Sequence, residues 1–509
     1  MRALAVHIKI ALAALVTLNI AKAASAPTGQ AAYEHYCAQC HGIQGDGNGP
    51  AAVWLYPKPR NFNAGLFKIQ SSPGGFLPTD EDLFRTITRG LPGTAMPGFS
   101  FLSETQRMEL VQYVKHLTSY VDESGRRINR FEQAKAAGQQ PVAVTVPPEP
   151  PVTMQTLALG KEIFNKLQCY TCHGATGAGD GERVPTLRDA FGLPIRPRDF
   201  NTGAFLGGHT GRDLYLRINN GLAGTPMAAF GEGVISANER WALVHYVLSL
   251  RRKEIEINDI LAPADNIIHA KRVKQRLPDD PLDGFWDSLD PVRIPLNPLW
   301  SEPHPVPAVA VTAIHDGKRI MFLCQWRDET INDLALRPQD FQDAVAIQFS
   351  MTDATPFLGM GEAAYQVNIW QWKAGWQRDI NYRRNDMHAI YPSMHVDTYL
   401  NANDLYNTAT VAGNIVSIYH QSPVEDANAR GFGTFSAQPP AAQNVGGRGV
   451  WHDGFWNVIL FRDIKSKDKD DVNLATRRAI PVAFAVWDGQ QSHRNGRKVV
   501  SNWYKLVLE

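Results

Sequence analysis

The sequence predicts a multidomain protein in which two mainly α-helical domains, one after the other, are followed by a C-terminal β-sandwich. Three observations carry this expectation. The pattern Cys37-Ala38-Gln39-Cys40-His41 returns as Cys169-Tyr170-Thr171-Cys172-His173, and the text around the two copies runs parallel. A proline-rich stretch, 141–151, separates the copies. After about residue 275, helical periodicity gives way to short runs of β-branched and aromatic residues between Gly- and Pro-rich connections, which is strand patterning.

Taken in order, the chain opens with Arg2 and Lys9, an apolar run over 10–20, then Ala21-Lys22-Ala23 and Ala24-Ser25-Ala26. This is the order of a secretory signal peptide, 1–26, with cleavage after Ala23 or Ala26. The apolar run is short for a membrane span, an uncleaved anchor being the alternative, and no other run approaches the length required. The mature protein is therefore expected to be periplasmic, without a transmembrane segment. Composition is that of a globular protein, 44% hydrophobic and 20% charged. The balance of 51 basic against 50 acidic residues argues against a nucleic-acid partner.

Four of the five cysteines fall in the two motif copies. Cys-x-x-Cys alone also serves thioredoxin-like pairs and half-sites for zinc, but neither needs His at the fifth position twice. The full pattern is the attachment signature of a c-type haem. Cys37, Cys40, Cys169 and Cys172 are then the thioether anchors of two haem c groups, and His41 and His173 the proximal iron ligands. The fifth cysteine, Cys324, sits in an apolar run and reads as a buried thiol, so no internal disulfide is available.

Cys37 and Cys169 stand 132 residues apart, and Met96 and Met227 stand 131 apart. Between these anchors Pro59-Arg60-Asn61-Phe62 answers Pro197-Arg198-Asp199-Phe200, Asp82-Leu83 answers Asp213-Leu214, and Gly93-Thr94-Ala95-Met96 answers Gly224-Thr225-Pro226-Met227. Opening helices are predicted over 29–36 and 157–167. Closing helices follow Ser103, with Met108, Val111, Val114 and Leu117 at helical spacing, and recur through Trp241, Val244 and Val247. Met96 and Met227 each precede a closing helix, where a thioether opposite imidazole would complete a low-spin iron. Helix, motif, long loop, methionine and closing helix, in both copies, resemble the class I cytochrome c fold. That resemblance makes 27–137 and 152–255 cytochrome c domains and implies that Arg60 and Arg198 neutralise haem propionates. The linker 138–151 reads as an extended, semi-rigid spacer without packing of its own.

In the third region, 308–314, the turn His315-Asp316-Gly317-Lys318 and 319–326 read as a β-hairpin. Further strands are expected at 344–349, 366–372, 415–419, 456–461, 482–487 and 500–508, with 378–424 as an insertion. The runs Phe357-Leu358-Gly359-Met360-Gly361, Val367-Asn368-Ile369-Trp370-Gln371-Trp372, Gly449-Val450-Trp451-His452 and Phe484-Ala485-Val486-Trp487-Asp488-Gly489 resemble the haem-binding gamma subunit of ethylbenzene dehydrogenase. Its relatives include the corresponding subunits of dimethyl sulfide dehydrogenase and nitrite oxidoreductase. The resemblance implies a sandwich, 275–509, holding one non-covalent haem b between a methionine and a lysine. Met360 matches the methionine. Arg448 stands near the place where the lysine is expected, and the nearest candidates are His452 and Lys465. Trp370, Trp372 and Trp376 are suited to line either a haem pocket or a sugar platform.

The expected function is that of a periplasmic multihaem cytochrome that relays electrons and is not itself catalytic. The second resemblance implies the gamma-like subunit of a molybdenum oxidoreductase, such as a nitrite oxidoreductase or an ethylbenzene dehydrogenase-type complex, beside its iron–sulfur subunit. Two alternatives stand next to it. A dihaem redox enzyme needs one iron with a vacant or displaceable sixth position, against which both methionines argue. A cytochrome fused to a haem-free carbohydrate- or partner-binding sandwich needs no ligand at Met360.

Overall fold

The computed structural model describes residues 29–252, 266–382, 391–393, 420–477 and 479–509. The expected signal peptide and the expected strand 415–419 lie outside the described residues.

In the first copy the helix Gln30–Tyr36 precedes the motif, which forms the short helix Ala38–His41, and Asp80–Arg89 and Glu104–Leu117 follow. The second copy repeats the set as Met154–Lys166, Tyr170–His173, Gly211–Asn220 and Ala237–Ser249. The third helix of each set occupies text that reads as long loop. Its local cause is a capping box: the Thr79 and Thr210 hydroxyls each accept the N–H three residues on at 3.1 Å, and Asp82 and Asp213 turn back to the threonine N–H. Opening and closing helices cross at a glycine. A Cβ on Gly29 would lie 2.3 Å from the Glu109 carbonyl oxygen, and one on Gly160 would lie 2.0 Å from that of Ala242. Both crossings therefore exclude any larger residue.

The linker is extended, but it is not a free spacer. Val144 donates its N–H to the Ser71 carbonyl at 2.8 Å, Val146 joins the apolar core of the second copy, and Glu149 pairs with buried His245 at 3.2 Å. An extended chain leaves its backbone groups unpaired, so neighbouring domains can bind it as a strap.

The C-terminal region is sheet-rich. Its strands lie in the spatial order Ser436–Ala437, Val424–Ala429, Val367–Lys373, Ala344–Ser350, Ile480–Trp487, Tyr504–Leu508, Ile267–Arg272, Ala308–His315, Arg319–Arg327, Phe455–Asp463, Gly446–His452. Ile267–Arg272 pairs in parallel with both of its neighbours, so the sheet begins before residue 275 and is closed by the chain's last strand. The run expected over 500–508 is two pieces, Val499–Val500 and Tyr504–Leu508. The sheet doubles over on itself: Phe322 lies 6.1 Å from Trp370 and Trp326 lies 6.3 Å from Trp372, ring centre to ring centre, although their strands are far apart in the order. Burial of these aromatic faces is the main cohesive contribution between the two halves. Trp370 and Trp372 are completely buried there, so they line neither a sugar platform nor a haem pocket. Cys324 lies in the same core.

The first copy docks on the sheet domain through its methionine turn and the segment at Tyr56. Gly93 donates to Asn297 Oδ1 at 2.7 Å, Tyr56 donates to the Leu299 carbonyl at 3.0 Å, and Ser301 donates to that of Tyr56 at 2.7 Å. The second copy docks on the first through the Arg85–Asp213 pair at 2.6 Å.

Candidate functional site: two adjoining cavities

Cys37, Cys40, His41 and Met96 line one cavity, of about 1230 Å³, and Cys169, Cys172, His173 and Met227 line another, of about 1240 Å³. Every residue singled out in the two motifs is thus brought to one of two enclosures. His41 Nδ1 bonds the Arg60 carbonyl oxygen at 2.9 Å, which holds the proton on Nδ1 and leaves the Nε2 lone pair for a metal. Phe62 stacks on the same ring at 4.6 Å and Phe200 stacks on His173 at 4.4 Å. The repeated Pro-Arg-x-Phe text is therefore an imidazole cradle: the arginine backbone orients the ring and the phenylalanine covers its face. In the second copy, His173 is drawn to the Arg198 backbone in the same way, although Nδ1 falls short of hydrogen-bond geometry.

Burial lowers both imidazoles to about 4, so they are neutral, the form that ligates metal. Burial also pushes the Cys37 and Cys40 thiols up to about 12 and Cys169 up to about 11. Thiols held protonated in this way suit neither a redox pair nor a zinc site. Among the described residues, the group of carboxylates, thiols and imidazoles close enough to hold a metal is Asp328, Asp343 and Asp488, which contains no cysteine or histidine. The methionines are presented by identical turns. Thr94 and Thr225 each donate a hydroxyl to the carbonyl three residues back, at 2.7 and 2.8 Å, and accept the N–H of Met96 and Met227 at 3.3 and 3.2 Å. The Gly-Thr pairs in the sequence serve this geometry.

Haem propionates are anions, and the walls supply cations that protein alone leaves unneutralised. Lys68 lines both cavities and makes no hydrogen bond or ion pair among the described residues. Desolvation first, and then Arg60, lowers it to about 8. Burial lowers Arg198 and Arg217 to about 10, and Arg217 leaves Nε and Nη1 without partners. The buried Tyr56 hydroxyl is also unpaired. Enclosed cations and orphaned donors beside a neutral imidazole fit an iron porphyrin with carboxylate arms.

The first cavity continues into the sheet domain, where Met360, Lys498, Trp487 and Trp503 line it. Met360 sits at φ +70°, a left-handed conformation unusual for its side chain. Two hydrogen bonds of 2.8 Å hold it, from its own N–H to Leu358 and from Gly431 to its carbonyl. Lys498 Nζ lies 4.7 Å from the centre of the Trp487 ring, and burial lowers its pKa to about 8. An enclosed amine without an acceptor gives up its proton cheaply and then has a lone pair to offer.

Lys498 lines the same cavity as Met360, whereas the sequence candidates are His452 and Lys465. Neither of those lines this cavity; Lys465 lies in a separate cleft with Arg319 and Asp463, and Arg448 pairs with Asp280 at 3.5 Å. No spacing rule points to Lys498. The pairing of Val499 and Val500 with Val486 and Ala485 carries it to the cavity. Between the first motif and Met360, the residues Cys40, Ala95, Leu299, Phe357, Phe432 and Val500 form one apolar cluster.

Residues 283–499 match the family model described as Ethylbenzene dehydrogenase, 157–251 that for Cytochrome c, and 24–114 that for Cytochrome C oxidase, cbb3-type, subunit III. The fold and the two cavities thus define a multidomain cytochrome, whose cytochrome c domains imply covalent haem c. A protein of Haloferax mediterranei assigned as a respiratory nitrate reductase heme subunit is 26% identical over 251 residues, 48% of this chain and 72% of its own. Dimethylsulfide dehydrogenase subunit gamma of Rhodovulum sulfidophilum is 27% identical over 240 residues, 45% of this chain and 74% of its own. A chain of the reducing HAO-like protein complex of Kuenenia stuttgartiensis is 40% identical, covering 45% of this chain and 97% of its own, with a TM-score of 0.41. The chain joins tandem cytochrome c domains to a C-terminal domain that belongs to the ethylbenzene dehydrogenase family.

Proposed function

We propose that this chain is the electron-transfer, gamma-like subunit of a periplasmic molybdenum oxidoreductase, of the nitrite oxidoreductase or ethylbenzene dehydrogenase type, and that it carries two haem c groups and one haem b. Cys37 and Cys40 anchor the first haem c, with His41 and Met96 as axial ligands. Cys169, Cys172, His173 and Met227 do the same for the second. Met360 and Lys498 hold the haem b, whose retention without thioether bonds depends on them and on burial. Bound haem supplies one-electron chemistry.

The observation that carries the reading is that His41 and Met96 line one cavity and His173 and Met227 the other, with Met360 and Lys498 on a further wall of the first, which supports two axial ligands for each iron. Closed coordination relays electrons and offers no substrate a position on iron, which disfavours a dihaem enzyme. The relatives, as named, are haem or gamma subunits of larger oxidoreductases. The leader-like text at 1–26 supports export, and no helix among the described residues is long and apolar enough to cross a membrane.

Purification from the native source tests this. A pyridine haemochrome spectrum should count two c-type haems and one b-type haem per chain, and metal analysis of the complex should find molybdenum. Cys37→Ala with Cys40→Ala should leave one haem c. A chain that purifies alone, free of molybdenum at every step, would sink the subunit assignment.

A further inference from the structure

The two copies exchange their arginines. Arg198, in the second copy, donates from Nη1 to the Gly93 carbonyl at 3.2 Å, at the start of the first copy's methionine turn. The counterpart of Gly93 is Gly224, and a Cβ placed there would lie 3.5 Å from Nη1 of Arg60, in the first copy. A Cβ on Gly93 would come within 2.4 Å of Arg198 Nη1. Each turn thus opens with a glycine at φ +73°, against which the other copy's guanidinium lies.

Lys68 stands at the centre of this exchange. It is the charged residue, with Lys58, that lines both cavities, and the charges of Arg60 and Arg198 both act on it. Lys58 is spoken for: its ammonium donates to the Ala52 carbonyl at 2.7 Å. Asp189 is the acidic group that acts on Lys68, and it forms no ion pair with it among the described residues. Asp199 acts on Arg198 as well, so two carboxylates face three enclosed cations, and burying that excess of positive charge is costly unless anions enter the seam.

We propose that Arg60, Lys68 and Arg198 form a single anion site at the seam between the copies that takes propionates from both c-type haems, with Lys68 as the cation they share. This rests on the reading above that both cavities hold haem c. The consequence is electrostatic: a positive charge beside the propionates of both haems disfavours ferric iron in both, so one side chain sets two potentials.

The test is a redox titration of the full-length holoprotein, after its haem c content has been counted. Lys68→Met should lower both c-haem midpoint potentials. The expected change is roughly tenfold in each reduction equilibrium, about 59 mV for a one-electron couple. Lys68→Arg should keep both near the parent values. Should Lys68→Met lose haem, Lys68→Gln serves as the neutral variant. A shift confined to one c-haem, or to neither, overturns the shared site even when both haems are present. A protein that never carried two haem c groups would instead overturn the haem assignment itself.

Discussion

The Lys498 ammonium lies 4.7 Å from the centre of the Trp487 ring, on the wall that Met360 also lines. With its pKa lowered to about 8, it is poised to act as a neutral nitrogen ligand near physiological pH. Lys498→Met should therefore yield protein whose haemochrome spectrum retains two c-type haems and lacks the b-type haem, as should Met360→Ala. Lys498→Arg should not restore it, because a guanidinium keeps its proton. Uptake of haem b by depleted protein should strengthen as pH rises through about 8, where the amine loses its proton. Full haem b in Lys498→Met would show that another residue ligates.

The methionine turns predict potentials. Met96→His and Met227→His should each lower the potential of one c-haem, since imidazole donates more strongly than thioether and stabilises ferric iron. The sulfur-to-iron absorption band should lose intensity in either variant and keep the share of the methionines that remain. An unchanged band together with an unchanged potential would remove that methionine from the coordination sphere.

Gly160 inverts a propensity rule. In a free helix Gly→Ala gains about 0.5–1 kcal/mol. Here the new methyl group would meet the Ala242 carbonyl oxygen at 2.0 Å, a backbone atom that cannot rotate away. Gly160→Ala should cost about 1–3 kcal/mol and lower the melting temperature of the second cytochrome domain. A stabilised variant would mean that the helices do not cross there.

Asp328, Asp343 and Asp488 place carboxylate oxygens within 4.8 Å of one another. Desolvation raises all three, and the like charges of Asp488 and Asp328 add to it for Asp328 and Asp343. An acid whose folded pKa lies above its unfolded one binds more protons when folded, so its contribution to stability declines as pH rises between the two. Stability of the sheet domain should fall from about pH 4 to about pH 8. Asp328→Asn should relieve about 1 kcal/mol of that at pH 8 and little below pH 4, followed by thermal unfolding. Loss of stability at pH 8 would contradict this account.

Much of the protein was legible because its chemistry is written at short range. Cys-x-x-Cys-His needs its five residues together, since two thioether bonds and one ligand must reach the same porphyrin. The duplication then located Met96 and Met227 without any contact being known. Thr79 and Thr210 carry a helix signal inside text that otherwise reads as loop, each with the aspartate that completes its capping box three positions on.

What the chain text alone determined is therefore local: the motifs, the paired methionines, the opening and closing helices and most of the strands. Tertiary structure decided which side of an alternating strand faces the cavity. Trp370 and Trp372 went to the core, while Ile369, Gln371 and Lys373 line the first cavity. It also joined Ile267–Arg272 to the last strand, tied Arg198 to the opposite copy and brought Lys498 to Met360 across more than a hundred residues. These pairings have no period and no spacing. They are selected by the burial of whole surfaces, and that choice is made only when the sheet closes and the domains dock.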